Sequence, residues 1–289
     1  MARRLGASAR ATTQGAAGWA PTRTGGSDEV NQSERLNDLL ELVTQRGWVG
    51  VEEASRALAV STATIRRDFD HLARQQLIHR ARGGASPVVG YELPLSYKAT
   101  RHATEKQRIA AAASALVQPG QVVGINGGTT AAEVSRALAS RPDIAQRDGS
   151  PRLTVVTNAV NIAAELTVRP YIKLVMTGGI ARPQSYELTG PLARQTLTRL
   201  RLDVAFLGAD GVDVAGGITA QHEGEAEVNG LLAARARSVV VVADSSKLGR
   251  SAFALICRLS AVNVLVTDAG APEHAVRAVE EAGVRVERV

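Results

Sequence analysis

Small polar residues and glycines follow the predicted strands in the second half of the chain. The clearest group is Asn126-Gly127-Gly128-Thr129-Thr130, which lies between an apolar strand and an amphipathic helix. Glycines let backbone N–H groups approach a ligand, and the N-terminus of a helix favours an anion. The segment is neither a Walker A loop nor a full dinucleotide fingerprint. It predicts a phosphate site, although Gly-Gly with threonine also makes an ordinary turn from strand to helix.

Four further strand ends carry small or polar residues. Asn158 ends the next predicted strand, Gly178-Gly179 ends the third, Asp210 follows the fourth, and Asp244 and Lys247 follow the fifth. In an open α/β sheet, ligands bind beyond the carboxyl ends of the strands. A lysine there supplies counter-charge for phosphate, although a lysine at a helix start is often only solvated. We therefore expect these loops to form one site.

A separate group nearer the N-terminus has the pattern of a helix that reads DNA. Ile65, Phe69 and Leu72 give this helix a buried face. A recognition helix places its N-terminal residues in the major groove, and an arginine there can grip guanine through two donors or hold a phosphate. The polar side chains predicted to point outward are Thr64, Arg67 and His71.

Residues around this helix complete the predicted DNA surface. Ser61 is a good N-cap, and its hydroxyl and that of Thr62 can contact the DNA backbone where capping does not use them. Arg66 flanks the outward face, where it either contacts phosphate or pairs with Asp70 one turn away. Charged helix residues are usually only solvated, but a basic strand after this helix favours DNA binding. That strand carries two arginines predicted to face one side, Arg80 and Arg82.

The elements that hold these arginines follow a definite order. Leu36, Leu39, Leu40 and Val43 recur on one face of a first helix, which Gly47 ends. A short extended segment, a second helix, a tight turn and a third helix follow, and then a strand that closes at a glycine pair. This order predicts a winged helix-turn-helix over residues 33–86.

The segments on either side of this domain have a different composition. Residues 1–32 are rich in Ala, Gly, Thr, Ser and Arg without an apolar period, which predicts a disordered tail. An arginine-rich start is also typical of a transit peptide. Residues 87–104 contain Pro87, Gly90 and Pro94 and predict an interdomain linker.

Residues 105–289 alternate between apolar strands and amphipathic helices. Several strand cores are apolar throughout, as expected where helices cover both faces of a sheet. The pattern predicts an open, mainly parallel α/β sheet. Strands are expected at 122–125, 153–156, 172–176, 204–207, 239–243 and 262–266, and helices at 106–116, 131–139, 159–168, 192–200, 225–236 and 272–282.

Composition narrows the class of protein. A net charge of +6 and a pI of about 10.0 favour a polyanionic partner. The single cysteine, Cys257, cannot form an intramolecular disulfide, which favours a reducing cytoplasm. No apolar run is long enough to span a bilayer, and the histidines lack metal-ligand spacing, so we expect neither a membrane nor a metal. Lysine is scarce in this arginine-rich chain, so each lysine is a candidate for a specific role. The lysines are Lys98, Lys106, Lys173 and Lys247.

At this point a resemblance becomes specific. Val60-Ser61-Thr62-Ala63-Thr64-Ile65-Arg66-Arg67-Asp68, followed by Arg80-Ala81-Arg82-Gly83-Gly84-Ala85, resembles the signature of the DeoR family of transcription regulators. The likeness covers about residues 35–289. The family usually has histidine where this chain has Arg82, so the wing contact stays basic. The resemblance implies binding to a double-stranded DNA operator, with repression of a sugar or carbohydrate operon as the expected role. Because helix-turn-helix proteins usually read two half-sites, we also expect a homo-oligomer, a dimer or higher.

The loops at the strand ends resemble the C-terminal sensor domain of the same family, which is similar in fold to ribose-5-phosphate isomerase. The family often has aspartate where this chain has Asn126, so selectivity for sugar hydroxyls is expected to differ. Carried over to this sequence, the resemblance implies a sugar-phosphate site lined by Gly127, Gly128, Thr129, Thr130, Asn158, Gly178, Gly179, Asp244 and Lys247.

The alternative is a sugar-phosphate isomerase with an accessory DNA-binding domain. Isomerases of this fold carry a Gly-Ala-Asp-Glu segment after another aspartate, with a lysine roughly ten residues on for proton transfer. Here the segment reads Phe206-Leu207-Gly208-Ala209-Asp210-Gly211, and residues 215–221 contain no lysine. We therefore expect a protein without catalytic residues or cofactor, which binds a sugar phosphate and does not turn it over.

Overall fold

The computed structural model describes residues 26–88, 95–146 and 150–289, which fall into two units, Met1–Pro87 and Val88–Val289. In the first unit, three helices precede a β-hairpin, and the three short strands pair in the order β1-β3-β2. The elements are α1 (Gly26–Arg46), β1 (Val49–Gly50), α2 (Val51–Ala57), α3 (Thr62–Arg74), β2 (Ile78–Ala81) and β3 (Gly84–Pro87).

The core of the first unit forms where the apolar faces of its helices meet. Leu39 and Val43 of α1 are completely buried, as are Ile65, Phe69 and Leu72 of α3. These are the residues that the helical periodicity assigned to the core. With the hairpin after α3, the arrangement confirms the predicted winged helix-turn-helix.

Helix α1 begins before the first apolar repeat. It starts at Gly26, inside the segment 1–32 that the sequence assigns to a disordered tail; residues 1–25 of that segment lie outside the described residues. Apolar periodicity was the signal used to place the helix start, and residues 26–34 contain a single apolar residue, Val30. A segment with one apolar residue in nine has no apolar period, so its sequence gives no signal for the start of the helix.

The second unit alternates strands and helices and begins with two helices, α4 (Leu95–Ala99) and α5 (Ala103–Ala115). Its strands are β4 (Val122–Ile125), β5 (Leu153–Thr157), β6 (Ile172–Met176), β7 (Ile180–Ala181), β8 (Leu188–Thr189), β9 (Leu202–Leu207), β10 (Gly211–Asp213), β11 (Gly217–Ala220), β12 (Ala236–Val242), β13 (Ala254–Cys257), β14 (Val264–Thr267) and β15 (Arg285–Arg288). The later helices are α6 (Thr129–Ser140), α7 (Val160–Leu166), α8 (Pro191–Leu197), α9 (Glu223–Arg235) and α10 (Glu273–Glu281).

Seven strands form one parallel sheet in the order β15-β14-β12-β9-β4-β5-β6. The order runs outward in one direction from β4 to β6 and in the other from β9 to β15. Strands β4 and β9 are therefore neighbours at the point where the order reverses, with Gly124 opposite Ala205. Ligands of open α/β sheets bind at such a point, beyond the carboxyl ends of the strands.

Helices cover both faces of this sheet. One core joins α5, α6 and α7 to the sheet through residues such as Ile109, Leu138 and Ile162. The other joins α8, α9 and α10 through residues such as Leu197 and Leu232. Burial on both faces explains the continuous apolar strand sequences, and the predicted open parallel sheet is confirmed.

Four features of this unit differ from the sequence pattern, and one of them is the seventh strand of the main sheet, β15, which the sequence did not predict. The segment 87–104, assigned to a linker, contains α4, whose Leu95 is buried and donates its N–H to the carbonyl of Gln184 at 2.9 Å; residues 89–94 lie outside the described residues. The structure also contains two small antiparallel sheets that the sequence pattern did not predict, β10-β11-β13 and β7-β8. Strands of two to four residues are too short to establish an alternating pattern in the sequence.

Candidate functional site

Helix α3 begins with a hydroxyl cap. The side chain of Ser61 accepts a hydrogen bond from the backbone N–H of Thr64 at 3.1 Å, and the two hydroxyl oxygens lie 2.9 Å apart. This is the geometry of an N-cap, which satisfies an otherwise unpaired N–H at the helix start. The Ser61 hydroxyl is therefore used in capping, whereas Thr62 begins the helix itself.

The outward face of α3 is basic and open. Arg66 and Arg67 are exposed, and neither forms an ion pair with another described residue. His71 is half-buried and lies 3.1 Å from the amide nitrogen of Gln75. An open cleft of about 620 Å³ is lined by residues of both α1 and α3, among them Thr64, Arg67 and His71 of the outward face and the pair Arg35 and Asp68. Three of the residues predicted to read DNA, Thr64, Arg67 and His71, thus line one accessible cleft.

Asp68 points the other way and is the buried anchor of this helix. It is 2% exposed and accepts two hydrogen bonds from Arg35 of α1, at 2.6 Å from Nε and 3.2 Å from Nη2. The Asp68 carboxylate raises the pKa of the Arg35 guanidinium further above its already high value. A bidentate pair of this kind fixes direction as well as distance. It holds α3 against α1 and so orients Arg67, the neighbouring residue.

The wing places its two arginines differently. Arg80 donates from Nε to Asp70 at 3.0 Å, and its guanidinium lies 5.4 Å from the centre of the Phe69 ring. Arg82 is exposed in the turn after β2. Asp70 therefore pairs with Arg80, and Arg82 is the arginine that projects from the wing. The pairing of β3 with β1 depends on Gly84, where a Cβ would lie 2.4 Å from the carbonyl oxygen of Val49.

In the second unit, the Gly127 loop joins β4 to the start of α6. Gly128 has φ of +107° and is the residue before the helix, and nothing lies within 4 Å of the position its Cβ would take. Thr129 is half-buried and Thr130 is buried. Helix α6 has 12 residues, long enough for its aligned peptide dipoles to attract an anion at this end. The loop has the form predicted for a phosphate site.

Asn126 connects this loop to the loop after β9. Its Nδ2 donates to the carbonyl of Gly208 at 3.0 Å, and its Oδ1 accepts from the N–H of Gly208 at 2.8 Å. An aspartate could make only the second of these bonds. Asn126 is 2% exposed, so its amide ties the two strands together at the point where the sheet order reverses.

A basic group lies beside these loops. Lys106 is 4% exposed, and its Nζ donates to the carbonyl oxygens of Lys98, at 2.7 Å, and of Arg101. Burial lowers the pKa of Lys106 to about 8, against the opposing charge of Asp244 and with the support of Lys247. Lys106 belongs to the first turn of α5, whereas Asp244 and Lys247 follow β12. Their electrostatic interaction with Lys106 shows that the loop after β12 lies next to the start of α5.

Asp244 and Asp210 are both engaged by neighbouring groups. Asp244 accepts from the N–H of Ser246 at 3.1 Å. Burial acts to raise the pKa of Asp244, but a second hydrogen bond, from the Ser246 hydroxyl, and nearby positive charges, Lys247 foremost, keep that pKa below its usual value. Asp210 accepts from the N–H of Gln221 at 3.1 Å and lies 3.5 Å from the ammonium of Lys98. Both carboxylates therefore help to hold the loops in place.

The two other predicted strand ends meet a small hairpin formed by β7 and β8. Gly179 has φ of +132°, and a Cβ there would lie 2.6 Å from the carbonyl oxygen of Thr189. Asn158 is completely buried and donates to Glu187 at 3.0 Å. Gly179 thus packs on β8, Gly178 faces Leu192 of α8, and the hairpin carries Glu187 to the end of β5.

Sequence reasoning missed several residues of this region: Lys98, His102, Lys106, Glu187, Glu225 and Asn229. Composition contained a partial signal, since three of the four lysines of the chain, Lys98, Lys106 and Lys247, lie here. Glu187 and Asn229 carry no local signal, because distant segments bring them together. In the described part of the chain, no cluster of three or more His, Cys, Asp and Glu side chains is arranged to hold a metal ion. No described helix combines the length and apolar character needed to cross a membrane.

The fold and these two surfaces define a class: a transcription regulator with a winged DNA-binding domain and an α/β sensor domain. Family models match both parts, the DeoR-like helix-turn-helix domain over residues 35–88 and the DeoR C terminal sensor domain over residues 101–269. The chain belongs to the DeoR family. It is accordingly a regulator rather than an enzyme.

Known proteins resemble the chain over most of its length. A protein of Escherichia coli O157:H7, provisionally named an aga operon transcriptional repressor, is 33% identical over 88% of this chain and 93% of its own. The glycerol-3-phosphate regulon repressor of Escherichia coli K12 is 30% identical over 89% of this chain and 99% of its own. Among solved structures, ribose 5-phosphate isomerase A of Methanocaldococcus jannaschii is 23% identical over 50% of this chain and 54% of its own, with a TM-score of 0.37.

Proposed function

We propose that the protein represses a sugar or carbohydrate catabolic operon and that a phosphorylated sugar modulates its affinity for the operator. The observation that carries this proposal is the Gly127 loop at the start of α6, in a domain where Lys106 and Lys247 lie close to each other. It is joined by two exposed arginines on α3 that form no ion pair with another described residue. Family membership supports it. One relative is named for glycerol 3-phosphate, which is itself a phosphorylated polyol.

On DNA, α3 enters the major groove with its N-terminal half. Arg67 contacts guanine or phosphate and Thr64 contacts a base edge, because both lie on the open outward face. Arg66 and Arg82 hold phosphates, which adds affinity and salt dependence without sequence selection. The remaining predicted contacts have supporting roles: Ser61 as the helix cap, Thr62 and His71 beside the groove, and Arg80 as a paired arginine on the wing.

In the sensor domain, the phosphate accepts hydrogen bonds from the backbone N–H groups of Gly128 and Thr129 and from the threonine hydroxyls. Lys247 supplies counter-charge. Asp210 and Asp244 maintain the loops around the ligand. An effector changes operator affinity only if it binds the DNA-competent and DNA-incompetent states with different affinity.

We also propose that the protein acts in the cytoplasm, where operator DNA lies, as a dimer or higher oligomer. Helix-turn-helix regulators usually read two half-sites about one helical turn apart, and two copies of α3 are needed to do so. Analytical ultracentrifugation with and without a palindromic duplex tests this part, and a monomer in both conditions would refute it.

The sensing proposal is tested by ligand binding to the full chain. Thermal melts with ribose 5-phosphate, fructose 6-phosphate, glycerol 3-phosphate and inorganic phosphate should show stabilisation by at least one sugar phosphate. Lys247→Ala should weaken that binding about tenfold, as expected for a lost charged hydrogen bond. The matched control is Lys173→Ala, which removes an exposed lysine from β6 and should bind as the wild type does.

Two results would contradict the sensing proposal. One is the absence of stabilisation by every sugar phosphate in the wild-type protein. The other is equal affinity in wild type and Lys247→Ala. An isomerase assay on the same preparation should show no turnover.

A further inference from the structure

Three buried polar side chains meet at the end of β5. Asn158, Glu187 and Asn229 are 0%, 4% and 2% exposed. Asn158 donates from Nδ2 to Glu187 Oε2 at 3.0 Å and to Asn229 Oδ1 at 3.1 Å. Asn229 donates to the same Glu187 oxygen at 3.1 Å. Both amide hydrogens of Asn158 are therefore used.

This arrangement fixes the direction of the Asn158 amide. Rotating it by half a turn would set Oδ1 against another acceptor, Asn229 Oδ1, and would remove the hydrogen bond that Nδ2 donates to Glu187 Oε2. The oxygen is thus held in place, and it has no hydrogen-bond partner among the described residues. Leaving a buried acceptor without a donor is unfavourable, so this oxygen is poised to accept a hydrogen bond from a ligand.

The cluster lies directly against the Gly127 loop. A Cβ on Gly127 would lie 2.5 Å from Glu187 Oε1, a distance that no side chain tolerates, so glycine is required for this contact. The Gly127 loop and the buried cluster are therefore in direct contact through Glu187. A ligand with its phosphate on the loop therefore binds next to Glu187, and it meets Asn158 once the segment that covers the cluster moves.

The protonation of Glu187 suits a site for a phosphorylated ligand. Burial and the nearby charge of Glu225 raise the pKa of Glu187 to about 8. At neutral pH the carboxyl is then mostly neutral, and it does not repel an anion bound to the adjacent loop. A neutral carboxyl can also donate a hydrogen bond.

We infer that this cluster is the hydroxyl-recognition part of the sensor site. Asn158 Oδ1 accepts a hydrogen bond from a hydroxyl of the phosphorylated sugar or polyol, and Glu187 and Asn229 are positioning residues that hold the Asn158 amide. The inference rests on the proposed sugar-phosphate sensing and adds the residues that distinguish a sugar phosphate from bare phosphate. A site built around a ligand hydroxyl rejects analogues that lack it.

The β7–β8 hairpin covers this cluster. The N–H of Leu188 donates to the Asn158 carbonyl at 2.6 Å, and the N–H of Val160 donates to the Tyr186 carbonyl at 2.9 Å. Arg182 and Ser185, between the two strands, bind Glu225. A ligand therefore reaches Asn158 only when the hairpin moves, and binding changes the packing of this segment.

The test compares sugar phosphate with inorganic phosphate on the full chain by calorimetric titration. The measured quantity is the preference, defined as the Kd of inorganic phosphate divided by the Kd of the best binder among ribose 5-phosphate, fructose 6-phosphate and glycerol 3-phosphate. Asn158→Leu should lower it at least about tenfold, the effect of one buried hydrogen bond. Asn161→Leu is the matched control, since Asn161 has a buried unpaired oxygen on α7 outside this cluster, and it should keep the wild-type preference.

The positioning role is tested by a pair of substitutions at Glu187. Glu187→Leu removes the acceptor that holds Asn158 and should lower the preference about tenfold, whereas Glu187→Gln keeps an acceptor oxygen and should restore it. Thermal melts identify any variant that fails to fold. If Asn158→Leu fails to fold, the comparison of Glu187→Leu with Glu187→Gln tests the hydroxyl site instead.

The outcomes are distinguishable. A folded Asn158→Leu or Glu187→Leu variant with the wild-type preference would overturn the hydroxyl site. Equal wild-type affinity for inorganic phosphate and every sugar phosphate would also overturn it, while leaving the anion site of the proposed function intact. Binding of none of these compounds would overturn both.

Discussion

Removal of the Asp68 carboxylate should destabilise the DNA-binding unit by about 2–3 kcal/mol. Breaking a buried ion pair by deleting one partner typically costs about 3–5 kcal/mol, because the other charge stays behind uncompensated. Asp68 is 2% exposed, but the side chain of Arg35 is 22% exposed. Water can therefore recover part of the lost interaction, which places Asp68→Ala at or just below the lower end of the range.

Tryptophan fluorescence during urea denaturation measures this effect in the intact chain. The tryptophans are Trp19, outside the described residues, and Trp48, which is 46% exposed beside the wing. Neither lies in the sensor domain, so the signal reports on the N-terminal unit. With a slope of about 1 kcal/mol/M for a unit of this size, the midpoint of Asp68→Ala should fall by about 2 M or more.

The double variant Arg35→Met with Asp68→Leu provides the control. It replaces both charges with apolar groups and should recover most of the lost stability, since a buried pair exchanged for well-packed apolar residues is often neutral. A midpoint for Asp68→Ala within about 0.3 M of the wild type, inside the usual error of such extrapolations, would refute the anchoring role of the pair.

Three further predictions concern DNA and pH. Arg67→Ala should weaken operator binding by about 1–3 kcal/mol and relax base preference; wild-type affinity and selectivity in anisotropy titrations would exclude a base contact. Arg82→Ala should reduce the slope of log K against log salt by about one unit. Arg80→Ala should change that slope less, because the Arg80 guanidinium is already paired with Asp70. Unchanged slopes in both variants would show that the wing does not contact the phosphate backbone. Burial and Glu225 raise the pKa of Glu187 from 4.5 to about 8, so the folded state retains a proton that the unfolded state has released. The free energy of unfolding should therefore fall as the pH rises from about 5 to about 8. In thermal melts, Glu187→Gln should lose this part of the pH dependence. A pH profile of Glu187→Gln identical to that of the wild type would contradict the raised pKa.

The sequence predicted the elements whose apolar periods are long. Helix α3 shows this, since Ile65, Phe69 and Leu72 mark its buried face and Ser61 its start. The parallel strands were also predicted, because strands buried on both faces have continuously apolar sequences. Hydrophobic pattern and capping are local, so they can be read without knowing the fold.

Other features depend on contacts that no local pattern records. Strand alternation predicted that Arg80 and Arg82 face one side, but β2 ends at Ala81 and Arg82 lies in the turn, where the alternation no longer applies. Glu187 and Asn229 are 42 residues apart and meet only through the sheet topology. Their burial as polar residues becomes visible only in the structure.

The effect of sugar phosphates on operator binding by the full chain tests the central claim most directly. A duplex selected from a random pool serves as operator, and anisotropy titrations are run with each sugar phosphate and with inorganic phosphate. We expect one sugar phosphate to change operator affinity about 5- to 150-fold, the range of typical allosteric coupling. In Lys247→Ala the response should shrink while ligand-free DNA binding stays as in the wild type. Operator affinity that no sugar phosphate alters would contradict the claim that this regulator senses one.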